Sequence, residues 1–194
     1  MTRADISQVA AIEREAFPTT WPQTAYHREL ENRLARYIVV IDQAKTAPMA
    51  VQETSRRSFF DWFRRREEQA PTTDYIVGYL GLWLLISEAH ITAVAVQESY
   101  RRRGLGELLL IEAIEMAREN RIDAVSLEVR RSNVTAQALY EKYRFDKVGV
   151  RPRYYSDNHE DAIIMTTPLI NSVPFRERFA YLKEQHARKF GAEG

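Results

Sequence analysis

The sequence predicts an α+β fold, and three observations carry that reading. Two strand-like runs, YIVGYLGLWLLI (75–86) and HITAVAV (90–96), follow each other closely enough to form an antiparallel pair. A long amphipathic helix comes directly after them, over residues 104–120. Beyond it, strand patterns return with one short helix between them, which lacks the regular alternation of a doubly wound sheet.

Each element has a local reason. Asp5 can cap a first helix whose apolar positions Ile6, Val9, Ala10, Ile12, Ala16 and Phe17 recur at helical spacing. After the turn FPTTWP (17–22), a second helix spans roughly 23–34, and ARYIVVI (35–41) is rich in strand formers. The period is then lost over 43–74, which breaks at Pro48 and Pro71 and reads as an insertion. In the helix at 104–120, Leu105, Leu109, Leu110, Ala113, Met116 and Ala117 share one side, opposite Glu107, Glu112, Glu115, Arg118 and Glu119. AVSLEV (124–129) is the next strand. Asn133 or Thr135 opens a short helix carrying Ala136, Leu139, Tyr140 and Tyr143. Strands are expected near 145–151 and 160–167. Residues 1–170 form one domain in this reading, and 171–194 form a charged helical tail.

Bulk properties exclude several function classes. A net charge of +1 carries no message about a polyanionic partner, so any basic character must be local, and no sequence-specific nucleic acid is expected. The absence of cysteine removes disulfides, thiolate metal sites and a cysteine nucleophile. The N-terminus lacks the layout of a signal peptide, and the longest apolar run, YLGLWLLI (79–86), falls short of the ~20 residues of a membrane span. A cytoplasmic setting is expected. His27, His90, His159 and His186 show no metal-ligand spacing and read as surface or packing residues, so no metal is expected.

The stretch QESYRRRGLGELLL (97–110) places three arginines and a Gly-x-Gly at the mouth of a helix. It is neither a dinucleotide fingerprint, since the third small-residue position falls on Leu109, nor a Walker A loop, since Glu107-Leu108 follows Gly106. Glycines let a ligand approach the backbone, and the free amides of a helix start suit a phosphate or pyrophosphate. A solvated arginine turn would look the same in this window alone.

The window does not stand alone. The run from Val96 to Gly106 resembles the acetyl-CoA motif of the GNAT acetyltransferases, Arg/Gln-x-x-Gly-x-Gly/Ala, at Arg101, Gly104 and Gly106. LEVRRSNVTAQALYEKYRF (127–145) and GVRPRYYSDNHEDAIIM (149–165) resemble the RimI branch of that family, the ribosomal-protein-alanine N-acetyltransferases. The opening helix and FPTTWP also look like the family's first helix and substrate loop. The resemblance implies a mixed, mostly antiparallel twisted sheet flanked by helices. It also implies acetyl-CoA as co-substrate and a protein N-terminus as acceptor, most readily that of a ribosomal protein beginning with Ala.

It further implies roles, position by position. The backbone of Ile91–Val96, chiefly Val94, Ala95 and Val96, would pair with the pantetheine arm. The amides of Arg102, Arg103, Gly104, Leu105 and Gly106 would hold the pyrophosphate, with Arg101 adding positive potential. Glu128 would be the general base, acting through water, and Tyr140 the general acid for the departing sulfur. Asn133 would cap its helix and touch the pantetheine. Trp21, Tyr154 and Tyr155 would frame the acceptor. Magnitudes favour an α-amine: at a pKa of about 7.7–8 it needs about 1 kcal/mol to be neutral at pH 7, against about 4–5 kcal/mol for a lysine at about 10.4. A small amine or internal lysine as acceptor stays open, as does a non-catalytic acyl-CoA- or RNA-binding module.

Four departures stand out. Arg144 occupies the place of a helix-ending glycine, at an expected cost of about 1 kcal/mol if the left-handed turn is kept. Glu98 replaces a common proline. The family's first strand is expected to be missing. Within the insertion, RRSFFDWFRRR (56–66) would as a helix gather aromatic residues beside arginines, a surface suited to a ribosome or an anionic membrane.

Overall fold

A computed structural model describes residues 1–19, 22–48 and 72–191. Trp21 and the segment 56–66 lie outside the described residues, and so do the expectations attached to them.

The chain opens with a 3₁₀ turn at Arg3–Asp5 and helix α1 (Ile6–Ala16). The Asp5 carboxylate does not cap α1. It accepts from the Thr2 amide at 2.6 Å and the Thr2 hydroxyl at 3.0 Å, because Asp5 ends the preceding turn. Helix α2 (Gln23–Glu31) is shorter than expected. Asn32 turns extended and its side-chain oxygen takes the Leu34 amide at 3.0 Å, a local bond that competes with another helical turn.

Strand β1 (Ala35–Pro48) and strand β2 (Thr72–Leu84) are both longer than the sequence pattern suggested. Residues 43–48 and 72–74, read as part of the insertion, are strand. Pairing resumes at Thr46↔Asp74 after a register shift beyond Asp42, and that irregularity erases the period of two in the sequence. Pro48 is tolerated because β1 is an edge strand. Strand β3 (Glu88–Val96) pairs antiparallel with β2, as expected. Helix α3 (Leu105–Glu119), strand β4 (Ala124–Arg130), helix α4 (Val134–Lys142), strand β5 (Asp146–Arg151), strand β6 (Ala162–Thr166) and helix α5 (Val173–Phe190) follow.

The sheet order is β1-β2-β3-β4-β6-β5, antiparallel throughout except for β3 with β4. Among the described residues no strand precedes α1. Helices cover both faces, which is why β2 is buried from Ile76 through Leu82. One core joins Leu80, Leu82, Val125 and Leu127 of the sheet to Leu109, Leu110 and Ile114 of α3 and to Phe175, Phe179 and Leu182 of α5. A smaller core sets Ile6, Val9 and Ile12 of α1 and Tyr26 of α2 against Ile76 and Tyr79. Arg144 keeps the left-handed turn after α4 with φ 66°, so the strain expected from its side chain is present.

Candidate active site

The parallel pairing of β3 with β4 is short. It runs from Glu88↔Ala124 to Ile91↔Leu127 and stops there, while β3 continues to Val96 and β4 continues to Arg130 beside β6. The strands part, and β3 keeps a backbone edge over Thr92–Val96 that β4 does not use. A cavity of about 560 Å³ opens at this fork. Its lining includes Val94, Glu128, Asn133, Tyr140, Tyr154 and Tyr155, so six of the residues named from the sequence meet at one place. Ala95 and Val96 lie further along β3, opposite Tyr79 and Gly78.

The arginine turn lies just past the end of β3. Arg102 and Gly104 both take positive φ, 66° and 77°, and this reversal aims the chain into α3. The Leu108 amide closes the first helical bond onto the Gly104 carbonyl at 2.9 Å. The amides from Arg102 to Glu107 meet no backbone acceptor among the described residues, as a helix start leaves them. Two of the three arginines shape the turn itself. Arg101 Nε donates to the Val96 carbonyl at 3.1 Å, and Arg103 donates to the Ser99 carbonyl at 3.0 Å while lying 4.9 Å over the Tyr100 ring. The Tyr100 hydroxyl donates to Asp42 at 2.6 Å and accepts from Lys45 at 2.7 Å, fastening the approach to β1. A Cβ placed on Gly106 would meet nothing within 4 Å, so this face of the helix start is open to a ligand. A Cβ on Gly104 would collide with the Phe190 ring of α5 at 2.6 Å. The residues therefore fit a diphosphate held by backbone amides.

Glu128 points into the fork with its side chain 9% exposed. His90 Nε2 lies 3.0 Å from one carboxylate oxygen, and Arg151 Nε donates to the other at 2.9 Å. The hydrogen bond with His90, ahead of the opposing effect of burial and then Arg151, holds the Glu128 carboxyl below the usual range. A carboxylate serving alone as base would instead be raised toward neutrality. His90, read from sequence as a packing or surface residue, stands in the site. The sequence offers no sign of it, because its partnership with Glu128 depends on the parallel register of β3 with β4.

Tyr140 reaches the cavity from α4, its ring 5.7 Å from Phe145, and burial pushes its phenol up to about 12. Asn133 does cap α4, accepting the Ala136 amide at 3.1 Å, and still borders the cavity. Tyr154 and Tyr155 stand on the connection between β5 and β6, edge to face at 5.2 Å. Arg130 locks that connection. Its guanidinium lies 3.8 Å over the Tyr155 ring and donates to Asp157 at 2.8 Å and Glu160 at 3.3 Å. Burial, partly opposed by Arg130, sets the Tyr155 phenol at about 12.

The far wall was not foreseen. Glu13 of α1, 6% exposed, borders the cavity and accepts from the Tyr26 hydroxyl at 2.6 Å. Its signal was available, since Glu13 follows Val9 and precedes Phe17 by four residues and so falls on the apolar stripe of the helix. Among the described residues no group of three or more His, Cys, Asp or Glu could hold a metal ion, and no helix is long and apolar enough to cross a membrane.

A Bacillus subtilis protein provisionally named ribosomal protein bS18-alanine N-acetyltransferase is 34% identical over 166 residues, covering 85% of this chain and 90% of its own. An N-alpha-acetyltransferase of Saccharolobus solfataricus is 31% identical over 167 residues, covering 85% and 88%. The crystal structure of the Escherichia coli ribosomal-protein-S18-alanine N-acetyltransferase superposes with a TM-score of 0.67 at 24% identity, over 87% of this chain and 90% of that one, which shows a shared fold. The model of the acetyltransferase (GNAT) family matches residues 6–145. Most of the chain, from α1 through α4 with both walls of the fork, falls within that match, and the protein belongs to the GNAT family of acetyltransferases.

Proposed function

We propose that the protein transfers acetyl from acetyl-CoA to the α-amine of a protein, with a ribosomal protein beginning with Ala as the expected acceptor. The observation that carries this reading is the fork between β3 and β4, where the Glu128–His90 pair and the Tyr140 phenol line one cavity. The names of two relatives across most of the chain support the acceptor class.

The geometry supports the following division of labour. The free edge of β3, chiefly Val94, Ala95 and Val96, is suited to the amide-bearing pantetheine arm, and the amides of Arg102–Gly106 to the diphosphate. The amine nitrogen attacks the acetyl carbonyl carbon; the C–N bond forms and the C–S bond breaks. The amine's proton passes to the Glu128–His90 pair, directly or through water. Tyr140, raised to about 12, stays protonated at neutral pH and gives its proton to the departing thiolate. The products are an N-acetylated chain and the free thiol of CoA. Tyr154, Tyr155 and the wall formed by Glu13 and Tyr26 border the space for the acceptor's first residues.

A panel of peptides beginning Ala, Ser, Met or Gly, incubated with acetyl-CoA and read by fragment mass spectrometry, tests the assignment. Acetate on the α-nitrogen, fastest for Ala, is expected. Acetate on internal lysine only, or on small amines only, moves the protein to those acceptors. Absence of CoA release with every amine would make it a binding module.

A further inference from the structure

The histidine beside Glu128 is itself held from behind. His90 faces Ser126 across the parallel register of β3 and β4, and Glu88 lies two residues before it on the same side of β3. Ser126 Oγ is 2.5 Å from Glu88 Oε1 and 2.9 Å from His90 Nδ1. Ser126 is 4% exposed, while Glu88 and His90 are half-buried, so the chain of hydrogen bonds is partly shielded from solvent. The chain continues through the imidazole to Glu128, 3.0 Å from Nε2.

Counting hydrogens gives the chain a direction. A carboxylate can only accept, so the single hydroxyl hydrogen of Ser126 goes to Glu88. Ser126 Oγ must then accept from His90, and the hydrogen of a neutral imidazole sits on Nδ1. That leaves a bare Nε2 lone pair facing a carboxylate oxygen of Glu128. The contact is unfavourable while the gap holds no proton and becomes a charge-assisted hydrogen bond once it does.

We propose that Ser126 and Glu88 are positioning residues that fix His90 as the Nδ1–H tautomer, so that the proton leaving the substrate amine is received at Nε2, between His90 and Glu128. The hydrogen bond from His90 that lowers the Glu128 carboxyl is then made only once Nε2 holds that proton. The other groups facing the imidazole are few. Trp83 of β2 lies 6.3 Å away with its indole N–H given to Glu29 of α2, and Arg151 of β5 reaches the opposite oxygen of Glu128.

The kinetic arm of the test rests on the acetyl-transfer reading, and the spectroscopic arm does not. Nitrogen-15 NMR of His90 in the full chain, above its titration, should show Nδ1 protonated and Nε2 bare. In Glu88→Leu the Ser126 hydroxyl loses its acceptor and is free to turn its hydrogen toward His90 Nδ1, so the tautomer should reverse. Ser126→Thr, which keeps the hydroxyl, should keep the Nδ1–H form. The pH profile of kcat/KM for an Ala-initiated peptide should differ from the parent's in Glu88→Leu and Ser126→Ala. Plateau kcat should fall about tenfold, with KM for acetyl-CoA unchanged. An Nε2–H tautomer in the parent protein, or an unchanged Nδ1–H tautomer in Glu88→Leu, overturns the proposal whatever the turnover. Superimposable pH profiles for parent and variants overturn it as well.

Discussion

At the scale of single residues, five non-glycine positions among the described residues take positive φ: Arg102, Arg121, Arg144, Arg153 and His159. Arg144 is the informative one, because the chain reverses there from α4 into β5 with φ 66°. The Tyr143 and Phe145 rings on either side are 1% exposed, so neither neighbour can absorb the strain by moving out. Arg144→Gly should therefore stabilise the fold by about 1 kcal/mol, the left-handed penalty less the entropy that glycine loses on folding. Chemical denaturation with an unchanged m-value measures it, and a loss of stability would mean the arginine's packing outweighs its strain. This position was legible in the sequence because a glycine was missed there. His90 was not, because its role comes from a register between strands more than thirty residues apart, which no local pattern carries.

At the scale of elements, the helices and most strands were legible from period and caps, and the outer ends of β1 and β2 were hidden by the register shift beyond Asp42. The tail was legible as a helix but not as a partner of the active domain. Helix α5 buries Phe175, Phe179 and Leu182 in the main core and sets Phe179 edge to face with Tyr143 at the α4 end, 6.2 Å apart, while Arg118 of α3 lies over the Phe179 ring at 5.7 Å. Its last turn reaches the phosphate-competent bend, where His186 Nε2 sits 3.0 Å from the Gly104 carbonyl and Phe190 lies on Gly104. Phe179→Ala should cost about 3–5 kcal/mol in thermal or denaturant unfolding, the usual loss for truncating a buried phenylalanine. A cost under about 1 kcal/mol would show that α5 is not part of the cooperative core. The connection between β5 and β6 depends instead on charge. Glu160 accepts the Ser132 amide at 2.6 Å and a bond from Arg130, and the Ser132 contacts first of all bring its carboxyl down to about 2. Because the folded value is depressed, this tether is intact above the unfolded pKa of about 4.5 and is lost as pH falls toward 2. Fluorescence of the Tyr154–Tyr155 segment should change in that window, and Glu160→Gln should remove the transition.

For the whole molecule, the sheet fork and the glycine turn do different jobs that can be separated by substitution. The fork follows from topology: β4 leaves β3 for β6 after Ile91↔Leu127, and the unsatisfied edge of β3 becomes a place for an extended, amide-bearing chain. The turn follows from two glycines with unlike duties. Gly104 is required by the fold itself, through its φ of 77° and the Phe190 ring against it. Gly106 meets no such demand, since its backbone is helical and a Cβ there touches nothing within 4 Å. Glycine inside a helix costs about 1 kcal/mol relative to good helix formers, so Gly106 weakens α3 without relieving any clash. A ligand brought close to the helix start, as proposed above, would account for its presence. Gly106→Leu should raise stability by about 0.5–1 kcal/mol while lowering acetyl-CoA affinity at least about tenfold, because the new side chain fills the approach to the free amides. Calorimetric titration with acetyl-CoA beside a denaturation curve reads both quantities from one preparation. Unchanged affinity with raised stability would remove the diphosphate from this turn and leave it as a structural bend between β3 and α3.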